Sequence, residues 1–129
     1  MQVRWQLLNL YNIMTTTYTI DANEKVLGRV ASEAAKALMG KNLPDYTANK
    51  IADVVVVITN ASKTKMSERR KNETLHERYS GQPGGFRTAT NAKILEKKGW
   101  AGLYELAVYG MLPANKLRPL MMKRLTIKD

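Results

Sequence analysis

One histidine, two glycine-bearing turns and several clusters of arginine and lysine are the residues whose types and spacing bear on chemistry. His76 lies between Leu75 and Glu77, so a Glu77–His76 couple is the candidate for general acid–base work. An exposed or hydrogen-bonded strand histidine explains the same residues with fewer assumptions. The chain has no cysteine and a single histidine, which excludes thiol nucleophiles, thiolate metal sites and two-histidine zinc motifs. Its 11 acidic residues are scattered, with no repeated spacing that would hold magnesium. Gly40-Lys41 matches the end of a nucleotide-binding loop, but Asn42 stands where that loop needs Ser or Thr. The pair also follows a helical stretch instead of opening one. Ser80-Gly81-Gln82-Pro83-Gly84-Gly85 either cradles a phosphate with its backbone amides or simply turns the chain. No catalysis, metal or cofactor is expected.

Basic residues carry more weight. Lys63, Lys65, Arg69, Arg70 and Lys71 crowd together, interrupted by one acid, Glu68. Arg78 and Arg87, with Tyr79 and Phe86, bracket the glycine turn, and Lys116, Arg118, Lys123, Arg124 and Lys128 stud the C-terminal stretch. Arginine forks onto phosphate or stacks on a base, while lysine acts as a mobile point charge. Tyr79 and Phe86 suit either stacking on unpaired bases or a place in the core. A run of charge is ordinarily a solvated face. Here, however, 21 Lys and Arg face 11 Asp and Glu in 129 residues, for a net charge of +10. Residues 1–58 are almost balanced at +1, whereas residues 59–129 hold +9. Such an excess on one half of a small chain calls for a polyanion.

The elements that must position these residues are legible in outline. With 129 residues and 44% hydrophobic composition, the chain can bury one modest core. Residues 17–20 read as a short strand. From Val26 to Met39, Leu27, Val30, Ala31, Ala34, Ala35 and Leu38 recur at helical spacing, and Gly40 follows as a stop. Asp53 to Thr59 is a continuous β-branched run, which predicts a strand buried on both faces of a sheet between helices. Strand, helix and buried strand make a βαβ unit, so the expected class is α/β. Residues 63–71 show no apolar period and read as an exposed loop. Thr74 to Ser80 predicts another strand. Two short helices should follow, one from near Thr90 to Gly99 and one around Leu103, Leu106 and Ala107 ending near Gly110. A basic tail then runs from Lys116 to Lys128. Residues 1–16 form an N-terminal extension and residues 17–129 a single domain, with Met14 a candidate for the functional start. The first 14 residues are too short and polar to span a membrane, and with Arg4 their only charge they would bind its surface weakly.

Several motifs, in order, resemble the universal large-subunit ribosomal protein L-thirteen family. They are Ile20-Asp21-Ala22 with Leu27-Gly28-Arg29-Val30-Ala31-Ser32, then Gly40-Lys41 and Asn60-Ala61. Arg78 with Tyr79 and the Ser80–Gly85 turn comes next, and the strongest is Ala107-Val108-Tyr109-Gly110-Met111-Leu112-Pro113-Ala114-Asn115-Lys116-Leu117. The similarity spans roughly residues 17–127. It implies a structural protein of the large ribosomal subunit, cytoplasmic within the ribosome, that binds and helps fold large-subunit rRNA during assembly. It also implies a three-layer α/β/α fold around a largely parallel four-stranded sheet, and neighbours that include ribosomal proteins L-three and L-twenty. A stand-alone RNA-binding regulator with the same fold is the alternative. Arg29, Lys41, Arg78, Ser80, Gly84 and Gly85 match the family pattern. With the basic clusters they give the expected RNA-binding set, which adds Lys63, Lys65, Arg69, Arg70, Lys71, Arg87, Lys116, Arg118, Lys123 and Arg124. Gly84 and Gly85 are expected to let the backbone approach phosphate. The chain departs from the pattern at Thr47-Ala48-Asn49, through Met66 to Lys71, at His76-Glu77 and Tyr79, and at Arg118-Pro119.

Overall fold

The computed structural model describes residues 15–129, so residues 1–14 of the expected extension, with the Met14 start, lie outside the described residues, whereas Thr16 already belongs to the first strand. Strand β1 (Thr16–Asp21) leads into helix α1 (Leu27–Met39), followed by strand β2 (Val54–Thr59). A short turn of 3-10 helix at Ala61–Lys63 precedes helix α2 (Glu68–Glu73). Strands β3 (Leu75–Tyr79) and β4 (Phe86–Thr90) flank the glycine turn. Helix α3 (Asn91–Met111), helix α4 (Arg118–Met122) and strand β5 (Leu125–Ile127) complete the chain.

Helix α1 forms where its small apolar residues recur on one side. Val30, Ala31, Ala34, Ala35, Ala37 and Leu38 are all buried. Gly40 ends the helix with φ 78°, and its N–H donates to the carbonyl of Ala37 at 3.0 Å. A side chain at Gly40 would also strike Ala52, so both backbone conformation and space demand glycine there.

The sheet has β2 at its centre, with β1 and β5 both parallel to it. Val54, Val56 and Ile58 point into the core, in register with Thr16, Tyr18 and Ile20 of β1. On the other side of β2, Leu125 and Ile127 pair with Val56 and Ile58 and complete the same apolar row. Helix α1 covers that row, and Tyr104, Val108 and Leu112 of the α3 region close the cluster. Full burial of each large aliphatic side chain contributes about 1.5–3 kcal/mol.

Three expectations are corrected. The sheet has three parallel strands instead of four, because β3 and β4 form a separate antiparallel pair. The valine run alternates buried and half-buried residues instead of being buried on both faces. Thr17, Thr19 and Thr126 share the second face with Val55 and Val57 and are exposed there. Nor is the basic stretch from Lys116 onward a tail: it folds into α4 and β5, and the Lys128 N–H donates to Ile58 O at 2.8 Å.

The expected loop at 63–71 instead contains α2. Ser67 caps it, its hydroxyl accepting from the Arg70 N–H at 3.4 Å, and Glu68 lies in the first turn. The two short helices expected after Thr90 are found as the two halves of α3. Thr90 caps the first half, and Gly99 (φ 70°, ψ −167°) breaks the helix where only glycine fits easily. No described helix is long and apolar enough to cross a membrane.

Candidate nucleic-acid interface

The β3–β4 hairpin brings Arg78 and Arg87 directly opposite one another in register. Side chains of a directly opposed pair share one face, so two guanidinium groups sit side by side there. Both are exposed, and among the described residues neither has an ion-pair partner. Like charges in that position repel, which a bound anion would reverse. The two arginines join Ser80, Gln82, Gly84 and Gly85 around a hollow of about 480 Å³.

Within the turn, the glycines meet conformational demands. Gly81 and Gly84 take φ 89° and 78°. The Gly85 N–H donates to Gln82 O at 3.0 Å, so that amide closes the turn instead of facing a phosphate. A Cβ on Gly85 would collide with the Ser80 side chain. The space beside Ser80 therefore favours glycine at position 85.

The same two arginines also border a second hollow, of about 500 Å³, shared with Lys93, Lys97 and Lys98 on the first half of α3. Sequence reasoning missed these three lysines. The i, i+4 spacing of Lys93 and Lys97, with Lys98 next to them, within a helix beginning at Asn91 was the available signal. The hairpin is fixed to its surroundings by Asn91, which is almost fully buried. Its Nδ2 donates to Arg70 O at 3.0 Å, so its Oδ1 faces His76 Nε2 at 2.6 Å. The carbonyl can only accept, and therefore His76 Nε2 carries the proton and donates. His76 is thus a tether for the strand, in agreement with the simpler reading of that residue.

A third hollow, about 890 Å³, runs between the start of α1, α2 and the second half of α3. It brings together Arg29, Lys65 and Arg70, three cations far apart in sequence, with Tyr109 and Gly110. Its floor is positioned from below. The Lys65 N–H donates to Lys25 O at 3.0 Å, and the Thr64 hydroxyl lies 2.5 Å from the Tyr104 hydroxyl. Tyr104 is fully buried, and burial raises its phenol above the usual 10.0 while the Thr64 contact works the other way. At the rim, the Arg118 guanidinium lies 4.0 Å from the centroid of the Tyr109 ring and donates to Tyr109 O at 3.3 Å. Asn115 holds that turn, its Oδ1 accepting from the N–H groups of Leu117 and Arg118, both at 3.1 Å.

The remaining candidates are not gathered into this tract. Lys41 follows the far end of α1, about 18 Å along the axis from Arg29 at 1.5 Å per residue. Arg69 is engaged on its own helix, Nε donating to Glu73 Oε2 at 2.8 Å. Arg124 is turned inward, bonded to Ala52 O and, at 3.2 Å, to the Asp53 carboxylate. Lys63, Lys71, Lys116 and Lys123 are at least partly exposed, without ion-pair partners among the described residues. Among the described residues no cluster of three or more histidine or acidic side chains could hold a metal ion.

A family model described as Ribosomal protein L13 matches residues 15–128. The chain belongs to the ribosomal protein L13 family. Similar proteins include the large ribosomal subunit protein uL13 of Geobacter sp. (strain M21), 41% identical over 110 residues, covering 85% of this chain and 77% of that protein. The protein of the same name from Pelobacter propionicus is 38% identical over 125 residues, covering 97% and 87% respectively. Membership in the L13 family therefore extends over nearly everything described above, from β1 through the hairpin to β5. The matched region includes Tyr109 and Gly110, which line the Arg29 groove, and Asn115, which holds the turn that follows them.

Proposed function

We propose that this protein is a structural constituent of the large ribosomal subunit, where it binds and helps fold large-subunit rRNA. The observation that carries the reading is the family match across residues 15–128. Its physical support is a surface of exposed cations without ion-pair partners among the described residues.

In this reading residues 17–129 act as one ribosomal-protein domain and residues 1–16 as an extension. Arg29, Lys65, Arg70, Arg78 and Arg87 hold phosphates in two adjoining hollows, and Lys93, Lys97 and Lys98 extend the second. Lys41, Lys63, Lys71, Lys116, Lys123 and the stacked Arg118 act as peripheral charges. Ser80, Gly84 and Gly85 shape the hairpin turn, while Arg69 and Arg124 contribute less because carboxylates already neutralise them. Ribosomal proteins L-three and L-twenty are the neighbours to look for, in the cytoplasm. A three-layer arrangement belongs to the same reading, since the half-covered face of Val55 and Val57 is the one a third layer would complete.

Co-sedimentation tests the proposal. The protein should travel with the large ribosomal subunit in magnesium-containing gradients and be limiting for its assembly. Tight binding to one defined transcript, with persistent absence from the subunit, would identify a stand-alone regulator instead.

A further inference from the structure

The outermost rung of the β3–β4 hairpin is a pair of aromatic rings, Tyr79 directly opposite Phe86. They are 61% and 57% exposed, so neither is core. Alternation along the strands puts them on the face opposite Arg78 and Arg87. Large exposed rings at the tip of a two-stranded hairpin have no folding role that the core would explain. The hairpin contributes nothing to the parallel sheet, and its next rung inward is two unneutralised guanidinium groups. That neighbouring charge favours a polyanionic occupant over an apolar protein surface.

We infer that this tip receives an unpaired stretch of RNA, with bases stacking on Tyr79 and Phe86 while Arg78 and Arg87 take the phosphates on either side. Duplex RNA keeps its base faces inside the helix, where flat side chains cannot reach them. Only a splayed or single strand offers a π-face to an exposed ring. Among the described residues no further strand pairs with β3 or β4, so an RNA strand can cross the tip and pass from the aromatic face to the cationic one. The inference rests on the RNA-binding reading above and narrows it to unpaired nucleotides at one element.

Its test is a comparison of two probes, an oligoadenylate of about 12 nucleotides and an RNA duplex of about 12 base pairs, titrated with the full chain. Tyr79→Leu with Phe86→Leu keeps the apolar bulk and removes the rings. It should weaken oligoadenylate binding by about tenfold or more, change duplex binding less than about twofold and leave the salt dependence intact. Tyr79→Phe with Phe86→Tyr should bind both probes like the original chain. Equal loss on both probes, or no loss on either, overturns the inference while leaving the ribosomal reading standing. An unsubstituted chain that binds neither probe overturns both. Should the leucine variant lose its fold by circular dichroism, 2-aminopurine within the oligoadenylate reads stacking on the unsubstituted chain. Its emission should change on binding, and unchanged emission in the bound complex overturns the inference.

Discussion

Replacing Arg78 and Arg87 with glutamine should make the free protein more stable and its RNA complex weaker. The two guanidinium groups are opposed in register, exposed, and without ion-pair partners among the described residues. Like charges directly across a strand pair destabilise by roughly 0.2–1 kcal/mol. Arg78→Gln with Arg87→Gln removes that repulsion and keeps side chains of similar reach. For a chain of this size the gain corresponds to a rise in Tm of about 1–4 °C at low salt. It should fade above about 0.1 M salt, where the screening length shortens to about 10 Å. Against RNA the sign reverses. Removing one cation from a phosphate lowers the slope of log K against log salt by about 0.7–0.9, so removing two lowers it by about 1.4–1.8. Thermal melts at low and high salt, with RNA titrations between about 50 and 200 mM salt, measure both quantities. A variant that melts lower and binds with an unchanged slope would refute the reasoning, because the arginines would then be structural.

Other outcomes follow from single interactions. Arg70→Ala should weaken RNA binding more than Arg69→Ala, because Arg70 lines the groove with Arg29 whereas Arg69 is held by Glu73. The double variant should lose more affinity at low salt than at high salt, and a salt-independent loss would point to misfolding. Gly85→Ala forces a Cβ onto the Ser80 side chain and should destabilise the hairpin by about 1–3 kcal/mol, as overpacking does. Ser80→Ala should rescue it in part, since Gln82 O at 3.0 Å and Ser80 Cβ at 3.2 Å remain close, and additive effects in denaturant melts would contradict the collision. Asp21 is held below its usual 3.8, first by the backbone N–H of Asn23 and then by the Asn60 amide. As pH falls the unfolded chain takes up that proton first. The stabilisation present above 3.8 is therefore lost as pH drops through the lower folded value. Asp21→Asn should flatten this part of the acid-denaturation curve, and an unchanged curve would exclude Asp21 as a contributor.

What was legible in the sequence depended on whether the deciding interactions were local. Helix α1 was readable because its apolar spacing, its glycine stop and its buried face lie within 14 residues of one another. Gly99 was equally plain as a break, since few other residues adopt its backbone. Helix α2 was invisible to periodicity because it buries nothing, and only the Ser67 cap announced it. Strand β4 was missed although Phe86-Arg87-Thr88-Ala89-Thr90 follows a glycine turn after β3, which is the pattern of a hairpin. The valine run misled because β-branched residues suit a strand whether one face or both are covered. At the site, charge could be counted but not placed. The junction of Arg29 with Lys65 and Arg70, and the inward turn of Arg124 onto Asp53, depend on chain crossings that no local pattern encodes.

The separation of core from charge has a thermodynamic consequence. The buried cluster is built mainly from α1, β1, β2 and α3, with Ala61 and Met121 of α4, and β5 packs against it; it contains no ionised side chain. Among the described residues only Arg69–Glu73 and Arg124–Asp53 form ion pairs, so most of the cationic excess is neutralised by nothing within the fold. Such a protein folds against its own repulsion, which added salt relieves. A polyanion relieves it more strongly, and any ligand that binds only the folded state stabilises it by about 2.7 kcal/mol at a hundred times its Kd. Salt should therefore strengthen the free protein while weakening its complex with RNA. On the proposed RNA-binding reading, the cationic excess would couple folding to binding through two exposed hollows and one hairpin, and the hydrophobic core would hold the shape on its own.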